Sequence, residues 1–213
     1  VRSAIREPWK VLEPDDLVGV GLTTLSADWR GIEDLSGLEH CTDLTVLSLR
    51  YNAIADYAPL GSLVNMSTLN LGGPYDPNTS GPPSASGFQL SMISNLTGLK
   101  VLEVYEHGLT DLSPVANFVD LQFLSIDGNK IVDISALASL TQLTEIYATD
   151  NQIASISALA GLESLTRLAL NNNEIASLSP LSGLGALKYL YLSGNVISDL
   201  SPLAGLEAIE ELW

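Results

Sequence analysis

LQFLSIDGNKIVDISALASLTQ (121–142), LTEIYATDNQIASISALAGLES (143–164), LTRLALNNNEIASLSPLSGLGA (165–186) and LKYLYLSGNVISDLSPLAGL (187–206) are one phrase written four times. The phrase is L-x-x-L-x-L-x-x-N-x-I-x-x-L-S-x-L-x-x-L, with exchanges among apolar residues. Asn129, Asn151, Asn173 and Asn195 mark it at a spacing of 22 residues. A constant period of this length implies a stack of equal units, each too small to hold a core of its own.

Spacing within one unit assigns its local structure. Leu143, Ile146 and Ala148 precede Asn151 by eight, five and three residues, and the alternation Ile146-x-Ala148 predicts a short strand with one face inward. Ile153, Ile156, Leu159 and Leu162 follow at intervals of three, which suits a tight 3₁₀ turn. Each coil then returns its strand beside the one before, in a parallel ladder with steps of about 4.8 Å. This is the leucine-rich repeat pattern. The expected fold is a right-handed, curved solenoid with a concave parallel sheet and a convex side of 3₁₀ turns. Strands are expected near residues 24–27, 46–49, 68–71, 101–104, 123–126, 145–148, 167–170 and 189–192.

The asparagine has a structural reading. It stands where the chain leaves the strand, and its amide offers donors and an acceptor to peptide groups that the turn leaves unpaired. Asn52, Asn129, Asn151, Asn173 and Asn195 form this ladder. Asp133 and Asp199, each two residues before a serine, read as caps of the outer turn.

The same register extends toward the N-terminus with irregularities. Arg30, Pro74 and His107 take the ladder position in the first, third and fourth repeats. The His107 ring still donates and accepts, so it reads as a structural substitute. From Pro74 to His107 is 33 residues, one period plus eleven, and the excess is the Pro-, Gly- and Ser-rich run Tyr75–Ser86. It reads as a surface loop inserted after a strand. Residues 1–21 fall outside the repeat and read as a helical cap, with Val1, Ile5 and Trp9 spaced by four. Eight repeats and a truncated ninth, in which Ile209 and Leu212 match the first apolar positions, therefore fill residues 22–213. The Val at position 1 and the uncapped end imply a domain of a longer chain.

Composition excludes several functions. Nine Lys and Arg face 25 Asp and Glu, a net charge of −16. That balance opposes nucleic acid and anionic lipid, whose binding is driven by cationic side chains. No apolar run reaches membrane-spanning length, so no membrane insertion is expected. Cys41, the single cysteine, takes a leucine position and reads as a small buried hydrophobe. His40 and His107 are far apart in register, and no phosphate-binding glycine loop, nucleophile elbow or zinc-binding His pair is present. The expectation is a protein with no catalytic residues, no metal and no cofactor.

One distribution stands out. Residues six, four and two places before the ladder position point away from the core, and the residue just before it lies on the rim. Eight of the thirteen aromatic residues fall on these positions, among them Trp29, Tyr51, Tyr105, Phe123, Tyr147, Tyr189 and Tyr191. Glu103, Asp127 and Glu145 are interleaved, with Arg167 as a cation. Aromatic rings at exposed sheet positions provide rigid contact area and mark these eleven residues as a candidate binding face.

The motif DLSPLAGL (199–206), the 22-residue period with its Asn, the N-terminal cap and GLEHCTDL (37–44) resemble the internalin-type repeats of bacterial leucine-rich proteins. The resemblance covers nearly the whole chain. It implies a secreted or cell-surface protein that binds a protein or peptide ligand through its concave face. Two alternatives stay open: an intracellular scaffold resembling leucine-rich phosphatase regulators, and a glycan-binding accessory domain of an enzyme.

Overall fold

A computed structural model describes residues 21–73 and 87–213; the expected cap, through residue 20, and the expected loop 75–86 lie outside them. The described residues form one sheet of nine strands in sequence order, β1 (Thr24–Ser26), β2 (Val46–Ser48), β3 (Thr68–Asn70), β4 (Val101–Glu103), β5 (Phe123–Ser125), β6 (Glu145–Tyr147), β7 (Arg167–Ala169), β8 (Tyr189–Tyr191) and β9 (Glu211–Leu212). Every neighbouring pair is parallel. Register follows the sequence period: Leu47, Leu69, Leu102, Leu124, Ile146, Leu168 and Leu190 stand side by side. The strands match the expected segments, each one residue shorter.

A short 3₁₀ helix follows each strand from β1 to β8, as at Ser113–Asn117 and Ser201–Leu203. Pro59, Pro114, Pro180 and Pro202 stand in the first turn of four of them, where a missing N–H costs nothing. Just ahead of these turns Asp34, Asp56, Asp111, Asp133 and Asp199 each accept the backbone N–H two residues on, at 2.8 Å. Bonding from Ser36, Ser113 and Ser201 holds the carboxyls of Asp34, Asp111 and Asp199 below the usual carboxylate range. Leucine, isoleucine and valine from strands and turns make one continuous core, with Leu44, Leu102, Leu165 and Leu190 wholly buried. Cys41 lies in it, and burial pushes its thiol above the ordinary range.

The turns are closed by amides. Asn151 accepts the backbone N–H of Ile131 in the preceding repeat at 3.0 Å and donates to the carbonyls of Ile126 and Ala148. Asn52, Asn129, Asn173 and Asn195 repeat the arrangement. Each amide therefore joins its own turn to the one before it, satisfying groups that would otherwise be buried unpaired.

His107 fills the same position by other means. Its Nε2 bonds the carbonyl of Leu71, and its backbone N–H donates to Asn129 Oδ1 at 3.1 Å. The ring packs against Tyr57 and Phe88, with centroids 5.8 and 5.0 Å away. Burial lowers its pKa to about 4, against the opposing effect of the Leu71 bond, so the ring is neutral near pH 7.

Candidate functional site

Side chains on the exposed face of the sheet fall into two groups. The first belongs to β1, β2 and β4 at the end where the chain leaves the strands. Trp29 and Tyr51 occupy the rim position with φ of 56° and 57°. That position is left-handed again at Glu106, Gly128, Asp150, Asn172 and Gly194. Glycine and Asn or Asp tolerate the conformation; for a bulky aromatic it costs about 1–2 kcal/mol. The two rings stack with centroids 4.2 Å apart and planes 21° from parallel. Tyr105 reaches them across β3, donating its hydroxyl to that of Tyr51 at 3.0 Å. Gly72 makes this reach possible, since a β-carbon there would overlap the Tyr105 ring. Below the rings Arg50 pairs with Glu103 at 2.8 Å, also across β3. Burial, followed by the Tyr51 bond, pushes the Tyr105 phenol well above its usual range.

The second group belongs to β5–β8 and stands on the strands themselves, Phe123, Glu145, Arg167 and Tyr189 at their first residues and Tyr147 and Tyr191 at their last. Phe123 and Tyr147 lie 5.4 Å apart, and Tyr147 donates to Glu145 at 3.0 Å. Burial and that bond push the Tyr147 phenol up to about 12. Arg167 stands 4.1 Å above the Tyr189 ring with Glu145 3.6 Å from its Nε. Tyr191 donates to Glu211 at 2.8 Å and Tyr189 to Glu210 at 3.0 Å, each bond raising the phenol.

The eleven residues singled out on the sequence therefore divide. Trp29, Tyr51, Glu103 and Tyr105 come together over β1, β2 and β4, and Phe123, Glu145, Tyr147, Arg167, Tyr189 and Tyr191 over β5–β8. Asp127 is turned to the sheet itself, accepting from Thr149 N at 2.7 Å and Ser125 Oγ at 3.1 Å. Its burial pushes the carboxyl upward against those two bonds. Two contributors were not singled out. Asp28 bonds Ser48 Oγ and Arg50 N beneath the Trp29–Tyr51 stack. Glu210 joins Lys188 at 2.9 Å to Tyr189. The signal for Glu210 was the one-period offset from Lys188, which sets the two side by side on adjacent strands.

Among the described residues no group of three or more His, Cys, Asp or Glu is placed to hold a metal, and no helix is long and apolar enough to cross a membrane. The face consists of rings, each steadied by a carboxylate or a second ring, with its cations already paired. Such a surface offers rigid contact area.

Kinship agrees with this geometry. A family profile described as Leucine Rich repeats (2 copies) matches residues 119–161, 141–183 and 163–205, and one described as Leucine Rich repeat matches 40–56. No curated protein matches the chain by sequence. Among solved structures, internalin C2 of Listeria monocytogenes is similar at 34% identity over 94% of this chain and 83% of that one, with a TM-score of 0.82. An internalin of the same organism, internalin F, is 34% identical over 85% of this chain and 57% of that one, with a TM-score of 0.65. A leucine-rich repeat protein of Leptospira interrogans shares the fold, at 23% identity over 83% of this chain and 44% of that one, with a TM-score of 0.73. The period, the parallel sheet and this similarity together place the chain in the internalin-type leucine-rich repeat proteins.

Proposed function

We propose that the chain is a non-catalytic binding module for a protein or peptide, carried by the exposed face of the sheet in a secreted or surface bacterial protein. The observation that supports this reading is the cluster on β5–β8. Phe123, Tyr147, Tyr189 and Tyr191 crowd onto a face that needs no aromatic residue for its core, and Glu145, Glu210 and Glu211 fix the phenol ends. Rigid aromatic residues with one polar handle carry most of the binding energy in interfaces. The secreted or surface setting rests on kinship with internalins.

The test uses a partner first captured by the parent chain, then purified. Tyr147→Ala and Tyr191→Ala, each checked for unchanged melting, are expected to weaken that partner by about 2 kcal/mol or more. Glu106→Gln, at an exposed rim charge, is expected to act mainly on association rate and salt dependence. Parent-like binding by both tyrosine variants, with loss of binding on deletion of Tyr75–Ser86, would assign recognition to the inserted loop instead.

A further inference from the structure

The rings do not cover the exposed face evenly; they cross it on a diagonal. Backbone pairing defines the grid. The bonds Trp29 N to Arg50 O, Tyr51 N to Gly72 O, Glu106 N to Asp127 O and Asp150 N to Asn171 O align the rim position from repeat to repeat. The strand registers align Phe123 with Glu145, Arg167 and Tyr189 in a row at the other end. In the repeats of β1, β2 and β4 the rings are at the rim or next to it: Trp29, Tyr51 and Tyr105. In β5, β6 and β8 they stand on the strands themselves, Phe123 and Tyr189 at the far end and Tyr147 and Tyr191 two residues nearer the rim. The two remaining corners hold small side chains. One has Thr24, Val46 and Thr68, and the other Thr149, Asn171 and Ser193.

This track has a length. Seven strand steps of about 4.8 Å and five residues of rise at about 3.3 Å give a diagonal of roughly 37 Å. An extended polypeptide covers that with about eleven residues at ~3.4 Å each.

It also has a charge preference. The cations along the track are already held, Arg50 by Glu103 and Arg167 by Glu145. The setting of Arg167, between the Tyr189 ring and a carboxylate, shows how the face holds a guanidinium. Glu106 next to Tyr105, and Glu211 bonded to Tyr191, put the same two chemical groups at other points on the track. The net charge of −16 adds a field of the same sign.

We infer that the ligand is an elongated basic polypeptide segment lying obliquely across the sheet, from Trp29 and Tyr51 to Tyr189 and Tyr191, with both small-residue corners uncovered. This rests on the binding role proposed above and adds the partner's shape, direction and charge. It gives the Trp29–Tyr51 stack a role at one end, where two rings are held in a backbone conformation that other repeats assign to Gly, Asp, Asn or Glu.

The experiment selects a displayed library of random linear 12-residue peptides on the purified chain. Enriched peptides are expected to be rich in Lys and Arg. Their affinity is expected to fall at least ~10-fold with Trp29→Asn, which installs the residue type found at Asn172, and equally with Tyr191→Ala. Thr24→Trp and Ser193→Trp, bulky changes in the two corners, are expected to alter it less than ~2-fold, and six-residue halves of a selected peptide to lose at least ~10-fold. Each variant is first matched to the parent in melting temperature. Loss with Tyr191→Ala but not with Trp29→Asn would overturn the diagonal and leave the binding face on β5–β8 intact. Indifference to both, with blockage by a corner tryptophan, would overturn the ring track while keeping the face, and indifference to all four changes would overturn the face as well. Enrichment of peptides without basic residues would overturn the charge assignment, and no enrichment at all would overturn the linear ligand.

Discussion

The two halves of the solenoid close the same turn with different chemistry. From β5 to β8 an asparagine stands at every ladder position and bonds its own turn and the one before. Among the described residues of the repeats of β1 to β4, Asn52 does so, while Arg30 and His107 take the ladder position in the first and fourth. The irregular half uses rings instead, His107 with Tyr57 and Phe88 inside and Trp29, Tyr51 and Tyr105 outside. The lesson is that the ladder acts between nearest neighbours. Asn129 reaches back to the N–H groups of His107 and Leu109, so one substituted amide is served by the next repeat and its loss stays local.

If the halves differ only in their turns, their cores should be equally tight. Leu69 in β3 and Leu168 in β7 are both 0% exposed. Truncation of either to Ala is expected to destabilise by about 2–5 kcal/mol, read by chemical denaturation. A loss at Leu69 below about 1 kcal/mol, with the full loss at Leu168, would show the irregular half to be loosely packed.

Acid should separate the halves. A histidine in the unfolded chain titrates near 6.5, whereas His107 in the fold titrates near about 4 because burial disfavours its cation. Between those values the unfolded chain binds the extra proton. The stabilisation from a neutral His107 is thus complete above about pH 6.5 and lost as pH falls toward about 4, amounting to about 3 kcal/mol. Denaturation curves across this range should show that loss in the parent and a flatter profile in His107→Asn. An unchanged slope would remove His107 as its source.

Two glycines, one in each half, should respond differently to a β-carbon. Gly72→Ala sets a β-carbon into the Tyr105 ring and is expected to cost about 1–3 kcal/mol, recovered in part when Tyr105→Ala is added. Gly161→Ala meets nothing within 4 Å and should be neutral or stabilising by less than about 1 kcal/mol. Equal melting shifts would mean that Tyr105 does not lie over Gly72. The smallest effect belongs to Glu174→Ala, on an exposed residue just past the ladder, where the change in stability should stay below about 0.5 kcal/mol.

Legibility in the sequence follows the range of each interaction. The core positions were readable because an apolar side chain at a repeated offset has one inward direction once the period is known. Leu102, Leu124 and Ile146 are neighbours for that reason alone. Neighbours one period apart were equally readable, and Phe123 beside Glu145 needed only the count of 22. Contacts that skip a strand were not. Arg50 with Glu103 and Tyr51 with Tyr105 are separated by 53 and 54 residues, one period plus the enlarged third repeat less the two or one positions by which the partners' rows differ.

The sequence by itself determined the repeat, the strand order, the core and the face on which the aromatic residues stand, since all of these depend on local periodicity and on burial of every inward leucine by its neighbour. Only the tertiary structure decided which ring touches which, that Gly72 opens the path for Tyr105, that Asp127 is spent on the sheet, and that Tyr57 and Phe88 enclose His107. Those outcomes depend on side-chain reach, left-handed rim geometry and the space left by small residues two strands away, none of which is written in the period.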